Sequence, residues 1–251
     1  MSGLVLTAAP TEGVAVLTLN RPDKYNALST ELIADLDAAL GGLATDESLR
    51  AIVVTGADPA FCAGVDLVEL GEGKHFGPSA LDALRAFPLP VIGAVNGVAI
   101  TGGLELALAC DFRIASQKAR FADTHSRVGV VPAWGLTARL PQAVGQSWAR
   151  QMSFTGDFVD AELALRIGLV NEVVAHEQLL ARAVSLAESV GGTSKPTLSK
   201  VRALYDRSRD ESGASALADE VALSGEELLL DDPQGFAARR EAVFNRGRSQ
   251  R

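Results

Sequence analysis

Apolar and polar positions along the chain fall into two alternating textures. Short, nearly continuous apolar runs, rich in β-branched residues, predict buried strands: GVAVLTLN (Gly13–Asn20), RAIVVTG (Arg50–Gly56) and PVIGAVNG (Pro90–Gly97). Asn20-Arg-Pro-Asp breaks the first run. The stretch STELIADLDAALGGL then places Leu32, Ile33, Leu36, Ala39 and Leu40 at helical spacing behind Ser29, a natural N-cap. A second helical piece, SALDALRAF, precedes the third strand. Strands alternating with helices predict an α/β architecture with parallel strands.

The texture changes near Gly191. GGTSKP reads as a breaker, and Thr197–Arg246 is almost entirely helical in pattern, with Pro233 opening a last helix. The predicted organisation is an α/β core over residues 1–190 and a helical C-terminal segment over 191–251.

Composition narrows the function classes. With 47% hydrophobic but only 5% aromatic residues, Ala, Val and Leu must fill most of the core of this 251-residue chain. A net charge of −8 opposes nonspecific nucleic-acid binding, which needs clustered cations. Locally the sign reverses at Arg239, Arg240, Arg246, Arg248 and Arg251, read first as a solvated helix end and second as a site for a phosphorylated ligand. The apolar stretch Val91–Ala109 is interrupted by Asn96, Gly97, Thr101, Gly102, Gly103 and Glu105, which disfavours a membrane span. No secretory pattern opens the sequence, so a cytoplasmic protein is expected. Cys62 and Cys110 make no disulfide framework, and His75, His125 and His176 are scattered without ligand spacing, so no metal is expected.

Two glycine-containing segments follow strands and carry the candidate chemistry. They are AFCAGVDL (Ala60–Leu67) and NGVAITGGLELALACD (Asn96–Asp111). In the second, Thr101-Gly-Gly opens a helix whose unpaired N–H groups and positive dipole end suit a ligand oxygen. Glu105 lies one turn inside that terminus, over whatever the N–H groups hold. Taken alone, TGGLELALA also reads as a buried helix with glycines for close packing. Asp66 reads as a cap or turn residue. Neither a G-x-G-x-x-G after a strand nor a Walker sequence is present. In FADTHSRVG, an extended chain would put Asp123 and His125 on one face.

These two segments together resemble the paired signature of the crotonase, or enoyl-CoA hydratase/isomerase, family. The likeness runs from TLNRPDKYNALS through MSFTGDFVDAELALRIGLVNEVV to FAARREAVFNR, nearly the whole chain. It implies a crotonase-like spiral of repeated ββα units with a helical C-terminal segment, serving assembly as a homotrimer or dimer of trimers. It further implies that the N–H groups of Val65 and Gly102 form an oxyanion hole for a thioester carbonyl. Coenzyme A, a part of the substrate and not a separate cofactor, would bend around Asn26, Ala27, Leu28 and the Cys62–Leu67 loop. Its adenine would read the backbone near Ala63 and Leu67, with Phe244 and the basic tail closing over the nucleotide.

The hydratases set two glutamates about the substrate double bond. Glu105 matches the first, and the second falls on His125, a residue whose ordinary pKa suits proton donation near neutrality. Asp123 is expected to orient the imidazole or reach the substrate, and Trp134, standing in a glycine-rich turn, to narrow the acyl pocket. The resemblance implies hydration of a trans-2-enoyl-CoA. Isomerisation, for which one base beside an oxyanion hole suffices, and non-catalytic acyl-CoA binding stay open.

Overall fold

The computed structural model describes residues 3–74, 76–77, 81–207, 218, 221–222, 235, 238–243 and 245. An antiparallel hairpin of β1 (Val5–Thr11) and β2 (Val14–Leu19) begins the fold, followed by α1 (Thr30–Ala44). The Ser29 hydroxyl accepts from Leu32 N at 3.1 Å, so the predicted cap is formed. Leu32, Leu36 and Leu40 are buried along one face of α1.

Three successive units then repeat one pattern: β3 (Ala51–Gly56), β4 (Ala60–Cys62) and α2 (Leu67–Gly71); after the short α3 (Asp82–Arg85), β5 (Val91–Val95), β6 (Val98–Ile100) and α4 (Gly102–Ala109); then β7 (Phe112–Ser116), β8 (Arg120–Ala122) and α5 (His125–Val128). The first strand of each unit joins a six-stranded sheet, ordered β1-β2-β3-β5-β7-β10, and the second joins a four-stranded sheet, β4-β6-β8-β9. The chain is completed by α6 (Leu136–Thr155, interrupted at Gly145), β9 (Val159–Asp160), α7 (Ala161–Arg166), β10 (Glu172–Val174) and α8 (Leu179–Gly191). Pairing is parallel from β2 through β3, β5 and β7 to β10, as expected, whereas β1 and β9 run antiparallel to their neighbours. Both sheets are therefore mixed. This is the repeated ββα arrangement that the resemblance implies.

Both faces of the large sheet are covered, which is why β3 reads as an unbroken apolar run. One face packs Leu17, Leu19, Ile52 and Val54 against α1 and the second sheet, with Phe61, Phe121 and Leu106 in the same cluster. The other packs Val16, Val53, Ile92 and Ile114 against Leu179, Ala183 and Ala187 of α8. Helix α4 packs so closely on β4 that a Cβ at Gly103 would lie 2.0 Å from the Cys62 carbonyl oxygen. Only glycine fits there.

Beyond α8, residues 195–207 are helical. Arg202 ties this helix to the core: its Nε sits 3.0 Å from Asp111 Oδ1, and its Nη1 donates to Phe87 O at 2.7 Å. Pro233 and Phe244 lie outside the described residues. Among the described residues no helix is long and apolar enough to cross a membrane.

Asn26 joins the turn after β2 to the turn between β3 and β4. Its Nδ2 donates to Ala57 O and Ala60 O, both at 2.7 Å, and its Oδ1 accepts from Arg21 N at 2.9 Å. Asn26→Ala is expected to cost about 2–4 kcal/mol, because buried backbone partners lose their bonds. Urea unfolding of the two proteins measures the difference.

Candidate active site

The site is assembled from loops of consecutive units. Leu28 and Val65 form an isolated parallel bridge, in which Leu28 N donates to Gly64 O at 2.8 Å and Leu28 O accepts from Asp66 N at 2.9 Å. That pattern uses the groups on either side of Val65 and turns the Val65 N–H the other way. Gly102 is the first residue of α4, where no intrahelical acceptor exists. A Cβ at Gly102 would stand 3.3 Å from Val65 N, so the two N–H groups border one small space. Neither donates a hydrogen bond to another described residue.

The approach to Gly102 is held under strain. Thr101 has φ 54° and ψ −110°, an unfavourable conformation for a β-branched residue. Its surroundings fix it there. Thr101 N donates to Ala122 O at 2.8 Å, and its Oγ1 lies 2.6 Å from Thr124 Oγ1 and accepts from Thr124 N at 3.0 Å. The small sheet thus sets the direction of the Gly102 N–H.

Glu105, only 2% exposed, follows one turn along α4. Its Oε1 accepts from Trp134 N at 2.9 Å and from Leu136 N at 3.3 Å, at the start of α6. Its Oε2 lies 3.6 Å from His125 Nε2. On the far side of the ring, His125 Nδ1 is 2.7 Å from Asp123 Oδ1, which also accepts from His125 N at 3.1 Å. His125 and Asp123 are 7% and 1% exposed, so three ionisable side chains form one buried row. The expected neighbourhood of Asp123 and His125 is present, but by a different route. His125 begins the short helix α5, and the chain turns between the two residues where an extended one was expected.

Burial pushes the Asp123 carboxyl upward, but the His125 ring, with smaller help from the nearby Ser153 hydroxyl and the His125 N–H, holds it below the usual aspartate value. Asp123 is therefore an anion at neutral pH and can only accept. The proton of that 2.7 Å contact belongs to His125 Nδ1. The other ring nitrogen, Nε2, is thereby aimed at Glu105. A proton carried on Nε2 would face Oε2 across that 3.6 Å gap.

The remaining residues singled out in the sequence divide by what their polar groups already do. Asn26 spends its side chain on backbone groups, and Ala27 O accepts from Arg21 Nη1 at 2.6 Å. Leu28 is a docking residue through both backbone groups, with its side chain fully buried. Asp66 is the N-cap of α2, accepting from Val68 N at 3.0 Å, and it pairs with Arg21 at 3.0 Å. Leu67 starts that helix, and the Ala63 N–H is taken by Tyr25 O at 3.0 Å. Cys62 is packed beneath the loop, its thiol pushed by burial up to about 12, against a weaker opposing hydrogen bond from Gly64 N. It is no nucleophile. Trp134 is buried beside Gly102. Arg239 of the basic tail donates to Val128 O at 3.1 Å, capping α5.

Sequence reasoning missed Arg21, Thr101 and Thr124. Arg21 braces the Ala27–Asp66 junction, and the two threonines orient Gly102. Only a glycine-flanked threonine directly before a helix hinted at them.

A family model described as enoyl-CoA hydratase/isomerase matches residues 10–246. The enoyl-CoA hydratase from Mycobacterium tuberculosis has a similar structure, at TM-score 0.83 and 48% identity, over 89% of this chain and 98% of that one. The short-chain-enoyl-CoA hydratase of Clostridium acetobutylicum is 36% identical over 87% of each chain. A monofunctional enoyl-CoA isomerase from M. smegmatis is also similar, at TM-score 0.74 and 37% identity, over 83% of this chain and 95% of that one. With its two mixed sheets, its C-terminal helices and a family match across nearly its whole length, the chain belongs to the enoyl-CoA hydratase/isomerase, or crotonase, family of acyl-CoA enzymes.

Proposed function

We propose that the protein hydrates a trans-2-enoyl-CoA to the 3-hydroxyacyl-CoA. The observation that carries this reading is the 3.6 Å approach of Glu105 and His125 beside the two adjoining N–H groups of Val65 and Gly102. Glu105 takes a proton from water as the water oxygen adds to Cβ. The electron pair of the double bond moves onto the thioester oxygen, and the enolate oxygen lies between the two N–H groups. As the enolate collapses, Cα takes a proton from His125 Nε2. The sum is one water added.

Each part has a physical warrant. A backbone donor aimed at a developing oxyanion is worth roughly 2.7–4 kcal/mol, and backbone donors need no reorganisation during the reaction. Asp123, as a positioning residue, holds the proton on Nδ1 and aims Nε2 at the substrate side. After turnover Glu105 carries a proton and His125 has lost one. Transfer from Oε2 to Nε2 restores the starting state without a second base.

We place the coenzyme A moiety along the turn at Asn26, Ala27 and Leu28 and the loop from Cys62 to Leu67. Assembly as a trimer or dimer of trimers is part of the same reading. The exposed Val201, Leu204 and Tyr205 on the helix of residues 195–207 support it. A second reading, shift of a 3-enoyl to a 2-enoyl thioester, is favoured by the similarity to the M. smegmatis isomerase. It uses the same oxyanion site, with Glu105 as the base.

The deciding assay offers 2-enoyl- and 3-enoyl-CoA thioesters and follows product mass. A gain of one water supports hydration; an unchanged mass with a moved double bond gives the isomerase, and binding without change gives a non-catalytic member. Glu105→Gln should lower kcat by at least about a hundredfold, the scale of a general-base contribution. Turnover near that of the wild type would remove Glu105 from the mechanism.

His125→Glu tests the second proton donor. Hydration should fall about tenfold or more, since Asp123 would then face a second carboxylate across the site. A large gain in rate would show that the natural histidine serves another purpose.

Asp123 also gives a stability prediction with a definite sign. A carboxyl held below its ordinary value stabilises the fold above that value and loses the contribution as pH falls through the folded one. The stability gap between wild type and Asp123→Asn should stay level from pH 7 to about 5 and close below about 4. Urea midpoints across that range measure it.

A further inference from the structure

Among the described residues, Trp134 sets a bulky side chain against Gly102 and has no part in the proton transfers above. The point where a Cβ would sit on Gly102 lies 3.3 Å from Val65 N and 2.9 Å from Cζ3 of the Trp134 indole. The six-membered edge of the ring therefore closes the space that the two N–H groups border. A carbon bonded to a carbonyl whose oxygen sits between those donors comes against that edge.

One bond holds the ring and two hold the main chain of Trp134. Its Nε1 donates to Gly77 O at 2.8 Å, its main-chain N–H binds Glu105 Oε1 at 2.9 Å, and its carbonyl accepts from Arg85 Nη1 at 3.0 Å. It is 3% exposed, within the main apolar cluster. Swinging aside would break the Nε1 bond and the packing together. A wall fixed in this way selects by shape, because the neighbouring core is close-packed and yields little.

We infer that Trp134 is a specificity-determining residue, whose indole edge restricts the enzyme to acyl-CoA thioesters unbranched at Cα. This inference rests on the proposed thioester position between Val65 and Gly102. A methyl group on Cα would need the volume that Cζ3 occupies, whereas a hydrogen fits. Chain growth beyond Cβ points away from the carbonyl and is not the dimension this edge controls.

The test compares a straight four-carbon trans-2-enoyl-CoA with its 2-methyl counterpart, on wild type, Trp134→Phe and Trp134→Ala. One misfitting methyl group changes kcat/KM by about 10–200-fold. The wild type should favour the straight thioester by at least tenfold, and Trp134→Ala should shrink that preference tenfold or more, with Trp134→Phe between them. Loss of folded enzyme lowers both rates together and leaves their ratio unchanged, so a misfolded fraction does not imitate the effect. The main-chain N–H that holds Glu105 survives both substitutions.

Binding of the saturated butanoyl- and 2-methylbutanoyl-CoA, read by calorimetry, separates the two proposals. If the wild type prefers butanoyl-CoA and Trp134→Ala loses the preference, the wall is supported even where no thioester is hydrated, and only the hydration reading falls. If all three proteins discriminate alike, or the wild type takes both thioesters equally, the inference is overturned.

Discussion

Two backbone N–H groups from different units of the fold have to border one space, and most of the structure serves that requirement. Val65 belongs to the loop after β4, and Gly102 opens the helix after β6. The loops are brought together because β4 and β6 are neighbours in the small sheet. The same closeness leaves no room for a side chain on Gly103 against the Cys62 carbonyl. A backbone conformation costing of order 1–3 kcal/mol at Thr101 persists because the β8 backbone and Thr124 hold it from the other side. Strain, glycine and sheet register thus act together at one point.

The side-chain part of the site is built on another logic. Burying isolated charges is expensive, so Glu105, His125 and Asp123 are buried as a row in which an imidazole separates two carboxylates. At one end the main-chain N–H groups of Trp134 and Leu136 satisfy Glu105 Oε1, and at the other Asp123 Oδ1 takes both the His125 ring and the His125 main-chain N–H. Removing the middle of that row leaves two carboxylates facing one another. The arrangement therefore depends on all three members being present.

Much of the fold was legible in the chain. The runs at Gly13–Asn20, Arg50–Gly56 and Pro90–Gly97 became β2, β3 and β5, because strands buried on both faces must be apolar throughout. The second sheet was not legible from pattern: β4, β6 and β8 are three residues each, too short for any period to register. The peptide units that border the oxyanion space could be placed only through the resemblance, since a backbone N–H leaves no mark in side-chain identity. Asp123 and His125 were brought together for the wrong local reason. Spacing by two suits an extended chain, but it equally suits an aspartate accepting from the N–H two residues on, and here the turn prevails. Asp66 showed the reverse: the cap reading held, and its pairing with Arg21, which depends on a loop 45 residues earlier, had no local signal.

The division between backbone and side chains explains how one scaffold hosts several reactions. The N–H groups of Val65 and Gly102 follow neighbouring strands of the small sheet, and in the proposed reading both hydration and isomerisation use them as oxyanion donors. The groups proposed to move protons stand on two helices, Glu105 on α4 and His125 on α5, and α5 is joined to the end of α6 through Arg127, which donates to Thr155 O, and through the Ser126 hydroxyl at 2.7 Å from Ser153 O. In that reading positions 123, 125 and 134, which hold the tautomer, the acid and the pocket wall, lie outside the β4–β6 pairing that brings the Val65 and Gly102 N–H groups together. Relatives named as hydratase and as isomerase can therefore share most of this architecture. In the proposed mechanism the choice between those chemistries rests on the segment from Asp123 to Leu136, where the carboxylate of Glu105 meets His125 and the main-chain N–H groups of Trp134 and Leu136.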